Sequence, residues 1–277
     1  KKRCIQEIFM AAMSDKKVEV LITTVNCKNP EALLQQMHIQ SAACIGNQCE
    51  VNRIDTIQAS GGSYIVYNFN ERGVGLNRNN LLMRTKAEYC LFGDDDLVYV
   101  DGYENIVKDA FQTYPDADVI LFNLEEETSG RYKIQKPFKV NYFNFMRFGA
   151  ARMAVKRTSI QTRGILFNLC FGGGCAHAHG EDTLFLNSCL KAGLHIYALP
   201  ITIATLTEVR ASSWFHGYDE KYFLDKGLLY YVMSRRFYPF LILQDALRHH
   251  KTYDKTIGYL VKTMKRGVAD ERKRRMQ

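Results

Sequence analysis

Residues 92–100 read FGDDDLVYV, three consecutive aspartates set between apolar runs. Asp94, Asp95 and Asp96 follow AEYCLF, a buried-strand composition, so three like charges sit where a strand leaves the core. Burying unpaired carboxylates costs several kcal/mol unless a cation or hydrogen bonds compensate. The stretch therefore asks for a partner, and the surrounding sequence narrows which one.

Working outward, VEVLITTV (18–25) is a β-branched strand, and PEALLQQMHIQ carries Pro30, suited to a first helical turn. SAACIGNQC and SYIVYNF read as further strands, GLNRNNLLMRTKA and GYENIVKDAF as helices, and ADVILFNL as another buried strand. This alternation predicts an α/β fold with a mainly parallel sheet. Ligands of such sheets bind beyond the carboxyl ends of the strands, where the aspartates fall. Downstream, FGAARMAVKR is a strand, FGGGCAHAHGED a glycine-rich loop, DTLFLNSCLKAG a helix capped by Gly193, and HIYALP a short strand. From Tyr218 the pattern is helical. The reading divides the chain into an N-terminal extension (1–16), a catalytic domain (17–215) and a basic helical extension (216–277).

The 277 residues carry 37 Lys and Arg against 29 Asp and Glu. Twelve of those bases and four of the acids lie from Met233 onward, so the remainder is neutral and the excess of +8 belongs to the C-terminal segment. A neutral main domain argues against a nucleic-acid binder. The eight cysteines include no C-x-x-C pair and several sit in apolar contexts, which fits reduced thiols and a cytoplasmic protein. KKRCIQEIFMAAM has too short an apolar run for a signal peptide, and no segment reads as a membrane span.

Aspartates spaced D-x-D at a strand end can share Mg²⁺ or Mn²⁺, hard ions that bridge phosphate oxygens. The alternative is a solvated acidic turn with Asp101 capping the next helix. The wider context, ERGVGLNRNNLLMRTKAEYCLFGDDD (71–96), resembles the family 2 glycosyltransferases of the GT-A fold, in which a glycine-containing segment, Ala-Arg-Asn and a helix precede a strand ending in Asp-x-Asp. Gly75, Arg78 and Asn79 match the first part, Asn77 stands in place of alanine, and Asp94 and Asp96 match the acidic motif. GEDTLFLNSCLKAG (180–193) resembles the family's Glu-Asp motif.

The resemblance, spanning roughly residues 18–210, implies an inverting transferase of the bacterial surface-polysaccharide type. It would move a sugar from a nucleotide-diphosphate donor, a UDP-sugar, to a glycan or lipid-linked acceptor. Asp182 would be the general base, with Glu181 on the acceptor side; the same pair also suits a helix N-terminus. Asp96 and Asp94 would hold the Mn²⁺ or Mg²⁺ cofactor, with His216 near the metal or diphosphate. Thr23, Thr24, Asn26, Asp94 and Asp95 would contact the nucleotide, and Arg78 would lie by it or brace the acidic motif. Asn47 and Gln48 stand where the family carries acids near the nucleobase, and an amide can read a uracil edge. Trp214 offers an aromatic platform for the acceptor.

His177 and His179 with Cys175 lack a fourth ligand at zinc spacing. A sugar-phosphate nucleotidyltransferase would carry a glycine-rich phosphate loop after the first strand, where TTVNCKNPE has no glycine. A non-catalytic nucleotide-sugar-binding module would need no base. Finally, SRRFYPFLILQDALRHH places Phe237, Tyr238, Phe240, Leu241, Ile242 and Leu243 beside Arg235, Arg236 and Arg248. That composition suits an anionic membrane surface on the inner face of the cytoplasmic membrane, with residues 244–277 expected to be removable.

Overall fold

The computed structural model describes residues 17–59, 62–126, 132–207 and 217–274. VEVLITTV becomes β1 (Val18–Val25), flanked by the parallel strands β2 (Ala42–Gln48) and β5 (Tyr89–Asp94). β1 and β5 are covered on both faces, which is why they read as continuous apolar runs. Helix α1 (Pro30–Gln36) starts with Pro30 in its first turn and Asn29 Oδ1 accepting from the Ala32 amide at 3.0 Å.

The strands β3 (Arg53–Ala59) and β4 (Gly62–Phe69), helix α2 (Val74–Arg84), strand β6 (Leu97–Tyr99) and helix α3 (Tyr103–Thr113) complete the first half. Then come β7 (Val119–Glu125), β8 (Phe138–Lys139), β9 (Met153–Lys156), α4 (Arg157–Thr162), α5 (Glu181–Lys191) and β10 (Ile196–Leu206). Three helices end the described chain: α6 (Glu220–Met233), α7 (Tyr238–Tyr253) and α8 (Ile257–Arg274).

The strands form one sheet in the order β3-β4-β2-β1-β5-β9-β7-β10-β6, with β8 on β10. It is an α/β sheet, parallel through β4, β2, β1 and β5 and again between β7 and β10. β9 runs antiparallel between β5 and β7, so the second half is mixed. Strand β3 escapes sequence reading because it is an edge strand without a buried residue. HIYALP grows into the eleven-residue β10, whose ladder shifts register between Ala198 and Thr202, around Pro200. Proline has no N–H to give the ladder and is tolerated at such an irregularity.

Side chains alternate across the sheet. Val20, Ile22, Leu91 and Ile120 face a core under α1 and α3, whereas Leu21, Phe92 and Leu121 face a second core with Phe185 of α5. Phe223, Tyr253, Leu260 and Met264 of the terminal helices join that second core. A Cβ on Gly227 would lie 2.0 Å from the Met264 carbonyl oxygen, and one on Gly267 2.3 Å from that of Leu224. α6 and α8 thus cross backbone to backbone, a contact only glycine permits. The expectation that residues 244–277 are removable is corrected here: cutting them would strip buried Ala246, Tyr253, Leu260, Met264 and Val268 from the core. No helix among the described residues is long and apolar enough to cross a membrane.

Candidate active site at the strand ends

The carboxyl ends of β1 and β5 lie side by side, with Thr23 in register with Asp94. Thr23 Oγ1 donates to Asp94 Oδ1 at 3.0 Å, and Thr24 Oγ1 donates to Asp95 Oδ2 at 2.6 Å. Both threonines are buried, so two first-strand hydroxyls aim and partly satisfy the acidic loop. Asp96 is fixed through its backbone: its carbonyl accepts from the Thr207 amide at 2.8 Å and from Thr207 Oγ1 at 2.9 Å. A cleft of about 350 Å³ opens here, lined by Thr24, Asn26, Lys28, Asp95, Asp96 and Thr207 among others. That size suits a small-molecule site. Asn26 turns the chain at φ 52°, its amide donating to the Gln48 carbonyl at 2.9 Å.

Arg78, in α2, connects this loop to α5. Its Nη2 donates to Asp94 Oδ1 at 2.8 Å, and its Nη1 donates to Glu181 Oε1 and Asp182 Oδ1 at 3.0 Å each. The Arg78 side chain is only 4% exposed. Burial pulls its pKa down, but Asp94, Asp182 and Glu181 together outweigh burial and raise it, so the guanidinium stays charged. One cation here faces three carboxylates, with Asp95 and Asp96 beside them. Burial raises the Asp182 carboxyl well above the usual carboxylate range and Glu181 adds to the rise; Arg78 and the Ala150 amide act the other way. A raised carboxylate is a stronger base than an ordinary aspartate, and 26% of this side chain remains open to solvent.

The helix α2 that carries Arg78 is anchored by neighbours the sequence left unexplained. Asn77, in the alanine position of the resembling motif, donates through Nδ2 to the Gly46 carbonyl at 2.7 Å. A Cβ on Gly46 would stand 1.9 Å from Asn77 Oδ1, so the larger side chain at 77 is matched by the missing one at 46. Asn79 clamps Phe167 by both its carbonyl, at 2.9 Å, and its amide, at 2.8 Å. Gln48 Oε1 accepts from the Gly73 amide at 2.7 Å at the start of α2.

The structure brings Thr23, Thr24, Arg78, Asp94, Asp95, Asp96, Glu181 and Asp182 together. Asn47 is not joined to them by these contacts. It is buried, its Oδ1 accepts from the Cys27 amide at 2.9 Å, and its Nδ2 donates to the Cys27 carbonyl at 3.1 Å and to Asn68 Oδ1 at 2.9 Å. Its amide therefore staples the turn after β1. Trp214 and His216 lie outside the described residues. His177 pairs with Asp225 at 2.8 Å, while His179 stacks on Tyr222 at 4.6 Å and is pushed down to about 4 by burial. Thr207, Lys28 and the Ala150 amide were missed, since backbone contacts and a lone surface lysine leave no motif.

Among the described residues no group of three or more His, Cys, Asp or Glu side chains converges as a ready-made metal cage. The donor set still fits a hard cation: an acidic strand-end turn beside a cleft, and carboxylates in excess of the one guanidinium. Mg²⁺ and Mn²⁺ sites of this kind use one or two protein carboxylates and complete their shell with water and phosphate oxygens.

No protein-family profile matches the sequence, and no curated protein matches it. Solved structures do. Staphylococcus aureus TarS residues 1–349 in complex with UDP-GlcNAc superposes with a TM-score of 0.58 at 15% identity, covering 85% of this chain and 73% of that one. The complex of the same fragment with UDP gives 0.56 at 15% identity, over 85% and 72%. Against the longer TarS structure the score is 0.57 at 15% identity, and the chain spans 43% of that protein. Strand order, helical cover and these superpositions agree: the chain has the GT-A fold.

Proposed function

We propose that the chain is an inverting glycosyltransferase that moves a sugar from a nucleotide-diphosphate donor, a UDP-sugar, to a hydroxyl of a glycan or lipid-linked acceptor. The observation that carries this reading is Arg78, a single buried guanidinium that holds Asp94 at the strand end and Asp182 at the start of α5 on the same cation. The fold shared with TarS, which was solved with UDP and with UDP-GlcNAc, supports the choice of donor.

The nucleotide lies in the cleft beside Thr24, Asn26 and Asp95, with its diphosphate toward Asp96. Asp96, with Asp94, would hold Mn²⁺ or Mg²⁺, which supplies a positive charge for the departing diphosphate. Asp182 accepts the proton of the acceptor hydroxyl as that oxygen bonds to the anomeric carbon. The bond from that carbon to the diphosphate oxygen breaks on the opposite face, so the configuration inverts. Arg78 keeps Asp182 oriented and Asp94 aimed, and Thr23 and Thr24 brace the loop against carboxylate repulsion.

The test is UDP release from a panel of UDP-sugars with candidate acceptors, with the product's anomeric configuration read by NMR. Turnover with inversion, lost in Asp182→Asn, supports the reading. Donor binding without UDP release from any acceptor would make the chain a binding module, and nucleotide transfer to a sugar phosphate would make it a nucleotidyltransferase.

A further inference from the structure

Helix α7 has two unlike faces. Ile242, Asp245, Ala246 and Tyr253 are buried against the core. On the far side, Phe240, Leu243 and Leu247 are 64%, 45% and 55% exposed, and Phe237 just before the helix is 59% exposed. At 3.6 residues per turn, Phe240, Leu243 and Leu247 fall within roughly 60° of one another, and the stripe from Phe237 runs about 15 Å. Exposed cations stand at both of its ends, Arg235 and Arg236 before it and Arg248 and Lys251 after it. The Arg236 guanidinium lies 5.6 Å from the Phe237 ring centre, within the same patch. Asp254, at the end of the helix, is an exposed acid beside the stripe. The structure refines the sequence expectation: Ile242 is buried, Tyr238 and Leu241 pack partly on the core, and Leu247 joins the exposed set.

We propose that this stripe seats on an anionic lipid bilayer, with Phe237, Phe240, Leu243 and Leu247 entering the headgroup boundary and the flanking arginines and lysine meeting lipid phosphates. Charge decides the occupant. The segment from Met233 carries 12 basic residues against four acidic ones, whereas the rest of the chain is balanced. An apolar line with cations at its ends matches an anionic surface, and it is narrow beside the roughly 800 Å² that each partner of a stable protein interface covers. α7 also leads back toward the candidate site. Tyr253 at its end packs on Phe223 of α6, at 5.2 Å between ring centres, and Asp225 of α6 accepts from Ala178 in the loop that precedes Glu181. The inference rests on α7 and stands apart from the transferase reading. If both hold, a lipid-linked acceptor is presented on the same surface.

The experiment sediments the full chain with vesicles of pure phosphatidylcholine and of an equal mixture with phosphatidylglycerol, at low and at high sodium chloride. The expected result is binding to the anionic vesicles, at least about tenfold tighter than to neutral ones and weakened by salt. Phe240→Gln with Leu247→Gln, both at exposed positions, should cut that binding about tenfold with an unchanged melting temperature. Arg235→Gln with Arg236→Gln, which leave Arg248 and Lys251 in place, should reduce its salt dependence by about half. Equal recovery in the supernatant with both vesicle types overturns the proposal. So does vesicle-independent self-association that the Phe240→Gln and Leu247→Gln changes abolish, which would make the stripe a contact between two copies. Because neither readout uses turnover, failure here is distinct from failure of the transferase reading.

Discussion

Replacing Arg78 by methionine removes the guanidinium while keeping an unbranched apolar stem over the Phe167 ring, which lies 5.3 Å from the Arg78 head group. Three carboxylates at 2.8, 3.0 and 3.0 Å then lose their shared cation. Breaking a buried ion pair by deleting one partner costs about 3–5 kcal/mol. The low end applies here, because Asp94 is 35% exposed and Asp182 can take up a proton. About 3 kcal/mol corresponds to a fall of roughly 5 °C in the melting temperature of a chain of this size. The pH dependence is the sharper signature. Asp182 already binds its proton more tightly in the folded state than in the unfolded one, so its contribution favours folding at low pH and is lost as pH rises through its raised value. Without Arg78 that value rises further. Thermal unfolding of wild type and Arg78→Met across about pH 4 to 8 should therefore show a gap that is small in acid and widens toward neutral pH. A gap that is constant with pH, or under about 1 kcal/mol throughout, would refute the role given to Arg78.

Asp182→Asn should lower kcat by about 10² or more with donor affinity little changed; collapse of donor affinity instead would make Asp182 structural. In the wild type, the acid limb of the kcat–pH profile should lie above the roughly 3.9 of an ordinary aspartate, with activity falling as pH drops through it, because the base works only when deprotonated. Gly46→Ala should destabilise by about 1–3 kcal/mol through its clash with Asn77, and adding Asn77→Ala should recover part of that loss; additive losses in chemical denaturation would separate the two residues. Chelation should abolish transfer and Mn²⁺ or Mg²⁺ restore it, whereas full activity in excess chelator would remove the cation from the scheme.

The parts that sequence made legible are those where one physical constraint dominates. β1 and β5 are buried on both faces, so composition alone marked Val18–Val25 and Tyr89–Asp94. Helix α5 was marked by acids at its start and Gly193 beyond its end. β3 was illegible because an edge strand needs no apolar face, and β9 read as a strand without revealing that it runs against its neighbours. In the site, residue types pointed to Asp94, Asp96, Asp182 and Arg78. The hub itself joins residues 16 and 104 positions apart, and no local pattern encodes that. Asn47 has a related history: its amide looks free in sequence, and in the fold the turn after β1 engages both its ends. In the C-terminal helices, composition gave the charge excess, but only packing separates buried Ile242 from exposed Phe240 and Leu247.

The most direct test is calorimetric titration of UDP into the protein with Mn²⁺, comparing wild type with Asp96→Asn, Thr24→Val and Asp182→Asn. The strand-end cleft account expects saturable binding by wild type, a large loss in Asp96→Asn, a smaller one in Thr24→Val, and affinity close to wild type in Asp182→Asn. Absence of UDP binding by the wild type, or equal binding by wild type and Asp96→Asn, would contradict it.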